Sequence, residues 1–160
     1  MDNSLIWLMF FLLISIIALL LIPRRQLYVL LPFSFVTGFI MTLTLLLLNV
    51  PLLRLWAFDG IPASSLVGIP LSLPLAFIPV MMLFAYYIPE ADSKNLLIVW
   101  ITVFSVLTTV IQGLSISAGI MRYIRWDLLA TLLLTFSGYS LIALFILKYG
   151  ALAQQGKLDQ

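Results

Sequence analysis

The chain has 160 residues, of which 64 % are hydrophobic and only 9 % charged, with a formal net charge of +2. A soluble domain carries roughly a quarter charged residues, so this composition excludes a water-exposed surface and makes lipid the solvent. Histidine and cysteine are both absent, which excludes disulfides, thiolate nucleophiles, iron–sulfur ligation, the commonest metal ligand and the commonest general base.

Five apolar runs fill the chain: Leu5–Ile22, Leu27–Val50, Ser65–Ile88, Leu96–Ile120 and Leu128–Tyr149. Each reaches about 18 residues or more, the length of helix that crosses a ~30 Å hydrocarbon core. In lipid every backbone polar group needs an internal partner, and the runs are too long and too uniformly apolar for barrel strands. The expected fold is therefore all-α: one polytopic bundle of five spans over residues 1–160, with no separate soluble domain and a polar tail over 150–160.

The first run follows Met1-Asp2-Asn3-Ser4 and precedes Arg24-Arg25. A cleavable signal peptide has its positive charges in front and a small-residue cleavage site behind. The order here is reversed, so a retained helix is expected. In the second run Pro32 falls in the first turns, where a missing donor costs little. Ser34, Gly38 and Thr42 are spaced by four, as are Thr109, Gly113 and Ser117 in the fourth run. Small residues on one face let helices approach closely in lipid; packing within the bundle and dimerisation both use such a face.

The connection over 51–64, PLLRLWAFDGIPAS, is too apolar for a plain loop. A short interfacial helix or a partly re-entrant segment is expected there, with Trp56 at headgroup level. The third run carries Pro70, Pro74 and Pro79, so its helix should be kinked by prolines or start late. Broken helices mark substrate sites in some transporters, and prolines are also commoner in membrane helices generally.

Five spans put the two tryptophan-bearing connections on one membrane face. Arg54, Trp56 and Asp59 from the first then meet Arg122, Tyr123, Arg125, Trp126 and Asp127 from the second. Arginine binds carboxylate or phosphate in bidentate fashion, so these residues form a candidate headgroup or anion site. The alternative is an aromatic belt with snorkelling arginines paired to Asp59 and Asp127. Gln112 is the strongest polar residue at depth, a partner for another helix or a ligand contact, with Thr131, Thr135, Ser137 and Ser140 as candidate partners. No Asp, Glu or Arg lies inside a run, and Lys148 ends the last one, which argues against proton-coupled transport. Glu90, Asp92 and Lys94 read as a solvated turn on the opposite face.

Nucleophile–base triads and Walker, HExxH and GxSxG patterns do not occur. No catalytic residue, metal or cofactor is expected, and no basic cluster suits nucleic acid. The Lys/Arg count is three (Arg54, Arg122, Arg125) on the N-terminal side and five (Arg24, Arg25, Lys94, Lys148, Lys157) on the other. By the positive-inside rule the N-terminus lies outside and the C-terminus in the cytoplasm of a bacterial cytoplasmic membrane.

The stretch GIPLSLPLAFIPVMMLFAYYIPE followed by GIMRYIRWD resembles a family of small, uncharacterised, roughly five-helix membrane proteins of spore-forming bacteria, over residues 51–149. Those share a Pro-rich third segment and a basic-aromatic loop ending in Trp plus Asp or Asn. The resemblance implies no activity, substrate or catalytic residue. The reading that results is a non-enzymatic multi-pass protein, either a packing or regulatory subunit or a lipid-responsive module. Its partners would be membrane lipids and a second copy or another membrane protein. The alternative is a carrier or binding protein for a lipid-like or small amphipathic anionic ligand. A membrane-embedded enzyme, using Asp59 or Asp127 as acid or base, comes last.

Overall fold

A computed structural model of the chain describes residues 4–60, 68–89 and 93–149. It contains five helices and one two-stranded ribbon: α1 (Ser4–Leu21), α2 (Arg24–Leu52), β1 (Trp56–Phe58), α3 (Ser72–Tyr86), α4 (Lys94–Ser117), β2 (Met121–Tyr123) and α5 (Leu128–Tyr149). Helices α2, α4 and α5 are long and apolar enough to cross a membrane; α1 and α3 are apolar and shorter. Large aliphatic side chains cover the outside, Leu20 at 79 % exposure and Met9 at 70 % among them. A surface of that kind is stable in lipid and not in water. The tail over 150–160 and the Glu90–Asp92 pair lie outside the described residues.

Helix α3 is the centre of the bundle, packed against α1 on one side and α2 on another, while α4 packs on α5. Leu73, Ala76, Met81, Met82, Phe84 and Ala85 of α3 are all buried. Its prolines are placed by a late start. The helix begins at Ser72, so Pro74 occupies the first turn, where its missing N–H has no helical acceptor to lose. Pro79 lies inside, and the segment continues as one helix to Tyr86.

Helix α2 begins earlier than expected. Pro23 precedes it, and Gln26 and Leu27 donate back to the Pro23 carbonyl at 2.9 and 3.1 Å. Pro32 therefore sits in the helix interior, where it withholds the N–H that Tyr28 would have received. Just beyond it the backbone loosens into a π-helical stretch, Phe35–Ile40, and a second one, Leu48–Leu52, contains Pro51. Wide turns of this kind absorb a missing donor without ending the helix.

The two small-residue faces behave differently. Ser34 and Gly38 are buried on α2, and a Cβ built on Gly38 would stand 2.5 Å from the Phe77 carbonyl oxygen of α3. That face brings two backbones into contact inside the chain, and Thr42, one turn on, borders a cavity described below. On α4, Thr109 and Ser117 turn their hydroxyls back to the carbonyls of Ser105 and Gly113. A Cβ on Gly113 would meet only Leu128 side-chain atoms at 3.5 and 3.8 Å.

The chain is mostly helical, and the interfacial helix offered as one reading of the 51–64 connection gives way there to a short ribbon. Residues 56–58 are extended, not helical, and pair antiparallel with β2 in the register Trp56↔Tyr123, Ala57↔Arg122, Phe58↔Met121. Two further bonds extend it, Asp59 N–H to Ile120 C=O at 3.0 Å and Ile124 N–H to Leu55 C=O at 2.8 Å. The turn out of α4 aims β2 at its partner. Gly119 takes φ +68°, its N–H bonds Ile116 C=O, and Ile120 N–H bonds Ser115 C=O, both at 2.9 Å. This is the Schellman closure, for which glycine is the favoured residue.

Candidate functional site

Side chains alternate along a strand, and those directly opposite share a face. The ribbon thereby sorts the nine residues singled out from sequence into two tiers. Trp56 and Tyr123 face the bundle with Phe58 and Met121, and Trp56 and Met121 are buried at 5 % and 3 % exposure. Ala57 and Arg122 occupy the opposite face. Asp59 ion-pairs with Arg122 at 3.6 Å, both side chains well exposed. Exposed pairs of this kind contribute roughly 0–1 kcal/mol. Arg54 and Arg125 are exposed as well. Asp127 caps α5, its Oδ1 accepting the Ala130 N–H at 2.7 Å, which satisfies one of the helix's free donors. The structure therefore brings Trp56, Tyr123, Trp126 and Gln112 together and leaves the charged residues on the outer rim.

A hydrogen-bonded chain joins the inner tier to the helices. Trp126 Nε1–H donates to Thr131 Oγ1 at 2.9 Å. Thr131 and Tyr123 hydroxyls lie 2.6 Å apart, and Tyr123 donates to Gln112 Oε1 at 3.0 Å. The Gln112 carbonyl oxygen is thus engaged by the ribbon. Trp56 packs edge-on against Trp126, ring centres 6.1 Å apart, a favourable aromatic geometry.

Burial pushes the Tyr123 phenol above its usual value of 10.0; the Thr131 hydrogen bond opposes the rise and the Asp127 carboxylate adds to it. A raised acid pKa in the folded state means that stability is complete below pH ~10 and falls as pH climbs through the folded value. Tyr123→Phe removes both the hydrogen bonds and this titration. The variant should melt lower at neutral pH, and its gap to the parent should narrow above pH ~10. A gap that stays constant from pH 8 to 11 in thermal melts would count against the assignment.

Helix α2 ends at the ribbon with Arg54 at φ +52°. Left-handed backbone costs a non-glycine residue roughly 1–2 kcal/mol, and glycine is the usual occupant of this position after a helix. Arg54→Gly should raise thermal stability by about 1 kcal/mol, read as a higher melting midpoint in detergent; a lower midpoint would show that the guanidinium holds the ribbon.

Beneath the ribbon lies a chamber of about 270 Å³. All five helices and both strands contribute to its wall, and no charged side chain does. Trp7 and Phe10 come from α1, Thr42 and Leu46 from α2, Phe77 and Met81 from α3, Gln112 from α4, and Thr131 and Tyr139 from α5. Trp56, Phe58 and Met121 belong to it from the ribbon. The polar groups of the wall are mostly committed. Thr108 and Tyr139 hydroxyls bond each other at 3.0 Å, and Thr37 and Thr135 donate to backbone carbonyls. Among the described residues no group of three acidic or metal-binding side chains converges. Trp7, Phe58, Met121 and Tyr139 were outside the sequence-derived site, whereas Thr131 is among the candidate partners of Gln112 named from the sequence. The alternations W-A-F and M-R-Y were the only local signal for any of them.

No family model, no curated protein and no solved structure matches this chain.

Proposed function

We propose that this protein is a non-enzymatic, membrane-embedded module that holds one lipid-like molecule in the chamber beneath the ribbon. The supporting observation is the chamber itself: about 270 Å³, bounded by every helix and without a charge in its wall. Ligand sites are typically mostly apolar and ~300–1,000 Å³ with a few placed polar groups, and this one sits just below that range. Its size suits a single chain and not a whole two-chain phospholipid. An anionic headgroup fits poorly, because a charge moved into an apolar wall without a partner is strongly disfavoured. Asp59 and Asp127, the carboxylates an acid–base reaction would use, are engaged outside the chamber with Arg122 and the α5 N-terminus.

In this reading the chain traverses the bilayer five times, with the ribbon at one membrane edge. The excess of Lys/Arg at the other edge puts that edge in the cytoplasm of a bacterial cell, with the N-terminus outside. Native mass spectrometry of protein extracted in mild detergent should retain one adduct of single-chain lipid mass. Arg122→Ala combined with Arg125→Ala should leave that adduct in place, since neither residue lines the chamber. Protein that emerges bare overturns the reading.

A further inference from the structure

The chamber wall contains two tryptophans that differ from the other two in the chain. Trp100 donates its indole N–H to Phe84 C=O at 3.2 Å, and Trp126 donates to Thr131 at 2.9 Å. Trp7 and Trp56 both line the chamber and are 3 % and 5 % exposed. Their indole N–H groups have no hydrogen-bond partner among the described residues. A buried donor without an acceptor is destabilising by about the worth of a lost hydrogen bond or more, and phenylalanine would fill much of the same space without it.

The two indoles sit at one end of the chamber. Trp7 packs edge-on to Phe58, ring centres 6.3 Å apart, and Trp56 lies two residues before Phe58 on the same face of β1. Gln112 borders the same space; its carbonyl oxygen is taken by Tyr123, so its amide offers donors too. The unmet capacity at the ribbon end is therefore capacity to donate. A ligand that brings an acceptor and no donor of its own satisfies it, and a ligand that brings charge finds no counter-ion in the wall.

We infer that the chamber takes an uncharged single-chain lipid whose head is a carbonyl of the ester or ketone type. Its oxygen is seated between Trp7 and Trp56, whose enclosed N–H groups turn towards it on binding, and its chain runs towards Tyr139 and Ile142. This rests on the lipid-holding reading above and narrows it to a ligand class.

The test uses the full chain in maltoside micelles and fluorine NMR. Three ten-carbon probes share a terminal trifluoromethyl group: a methyl ester, the plain alkane and the free carboxylate. The ester should bind about tenfold tighter than the alkane, because only the ester gains hydrogen bonds from the indoles, and the carboxylate should bind no better than the alkane. Trp7→Phe combined with Trp56→Phe should reduce the ester's preference over the alkane from about tenfold to about one, and a cooperative thermal melt shows that the variant is folded. If the pair does not fold, each single variant should lose part of the preference. Equal binding of ester and alkane, tighter binding of the carboxylate, or a preference intact in the variants overturns the inference while the chamber reading stands. A protein that binds none of the three overturns both.

Discussion

Gly38→Ala should destabilise the protein by about 1–3 kcal/mol, the usual effect of forcing extra volume into a packed interior, and should lower its melting midpoint in detergent. The added Cβ would stand 2.5 Å from the Phe77 carbonyl oxygen, 2.7 Å from its carbon and 2.9 Å from Ile78 Cα. All three are backbone atoms of α3, and they cannot move aside as the end of a flexible side chain would. Gly38 also lies in the wide π-helical stretch of α2, so relief by shifting α2 would disturb the wall on which Thr37, Met41 and Thr42 sit. Gly113→Ala is the control. Its Cβ would meet Leu128 side-chain carbons at 3.5 and 3.8 Å, ordinary contact, and alanine is favoured over glycine in a helix by about 1 kcal/mol. The two variants should therefore shift the midpoint in opposite directions. Equal shifts would mean that the α2–α3 approach is not as close as described.

Gly38 and Gly113 had the same signature in the sequence, a glycine between small residues four apart, and only packing separates them. What was legible was whatever depends on length and composition. Each of the five apolar runs corresponds to one helix, and three of these, α2, α4 and α5, are long and apolar enough to cross a membrane. Trp56 and Trp126, expected near each other from the order of the runs, are in ring contact. The ribbon was not legible, because three residues are too few for a period-two pattern to stand out. Without the ribbon, the inward set of Trp56 and Tyr123 could not be separated from the outward set of Arg122 and Asp59. Pro32 was placed in a first turn because Arg24-Arg25 read as loop; Pro23 instead starts the helix there. The chamber has no local signature at all. It is the space left where five helices and two strands fail to meet, and nothing distinguished Trp7 from the apolar residues around it.

Gly138→Leu should do the reverse of Gly38→Ala: raise stability by about 1–2 kcal/mol and abolish uptake of a chain-like ligand. Gly138 lies within α5 and lines the chamber, and a Cβ built on it meets no atom within 4 Å. Glycine within a helix is about 0.5–1 kcal/mol less stable than alanine, so a larger residue gains at once from backbone order. Leucine gains further by giving the chamber wall contacts that empty space withholds. The same atoms occupy the volume a ligand chain would use. Gly138→Ala separates the two effects, since it supplies the helical gain while adding one methyl group. Melting midpoints should rise for both variants, and binding of the ten-carbon ester should fall more than tenfold only for leucine. A leucine variant that melts lower would mean that the wall at Gly138 is already filled. One that melts higher and still binds would place the ligand elsewhere. If stability rises as binding is lost, glycine at this position keeps a space open at the expense of the fold, as expected where a functional cavity and tight packing compete for the same residue.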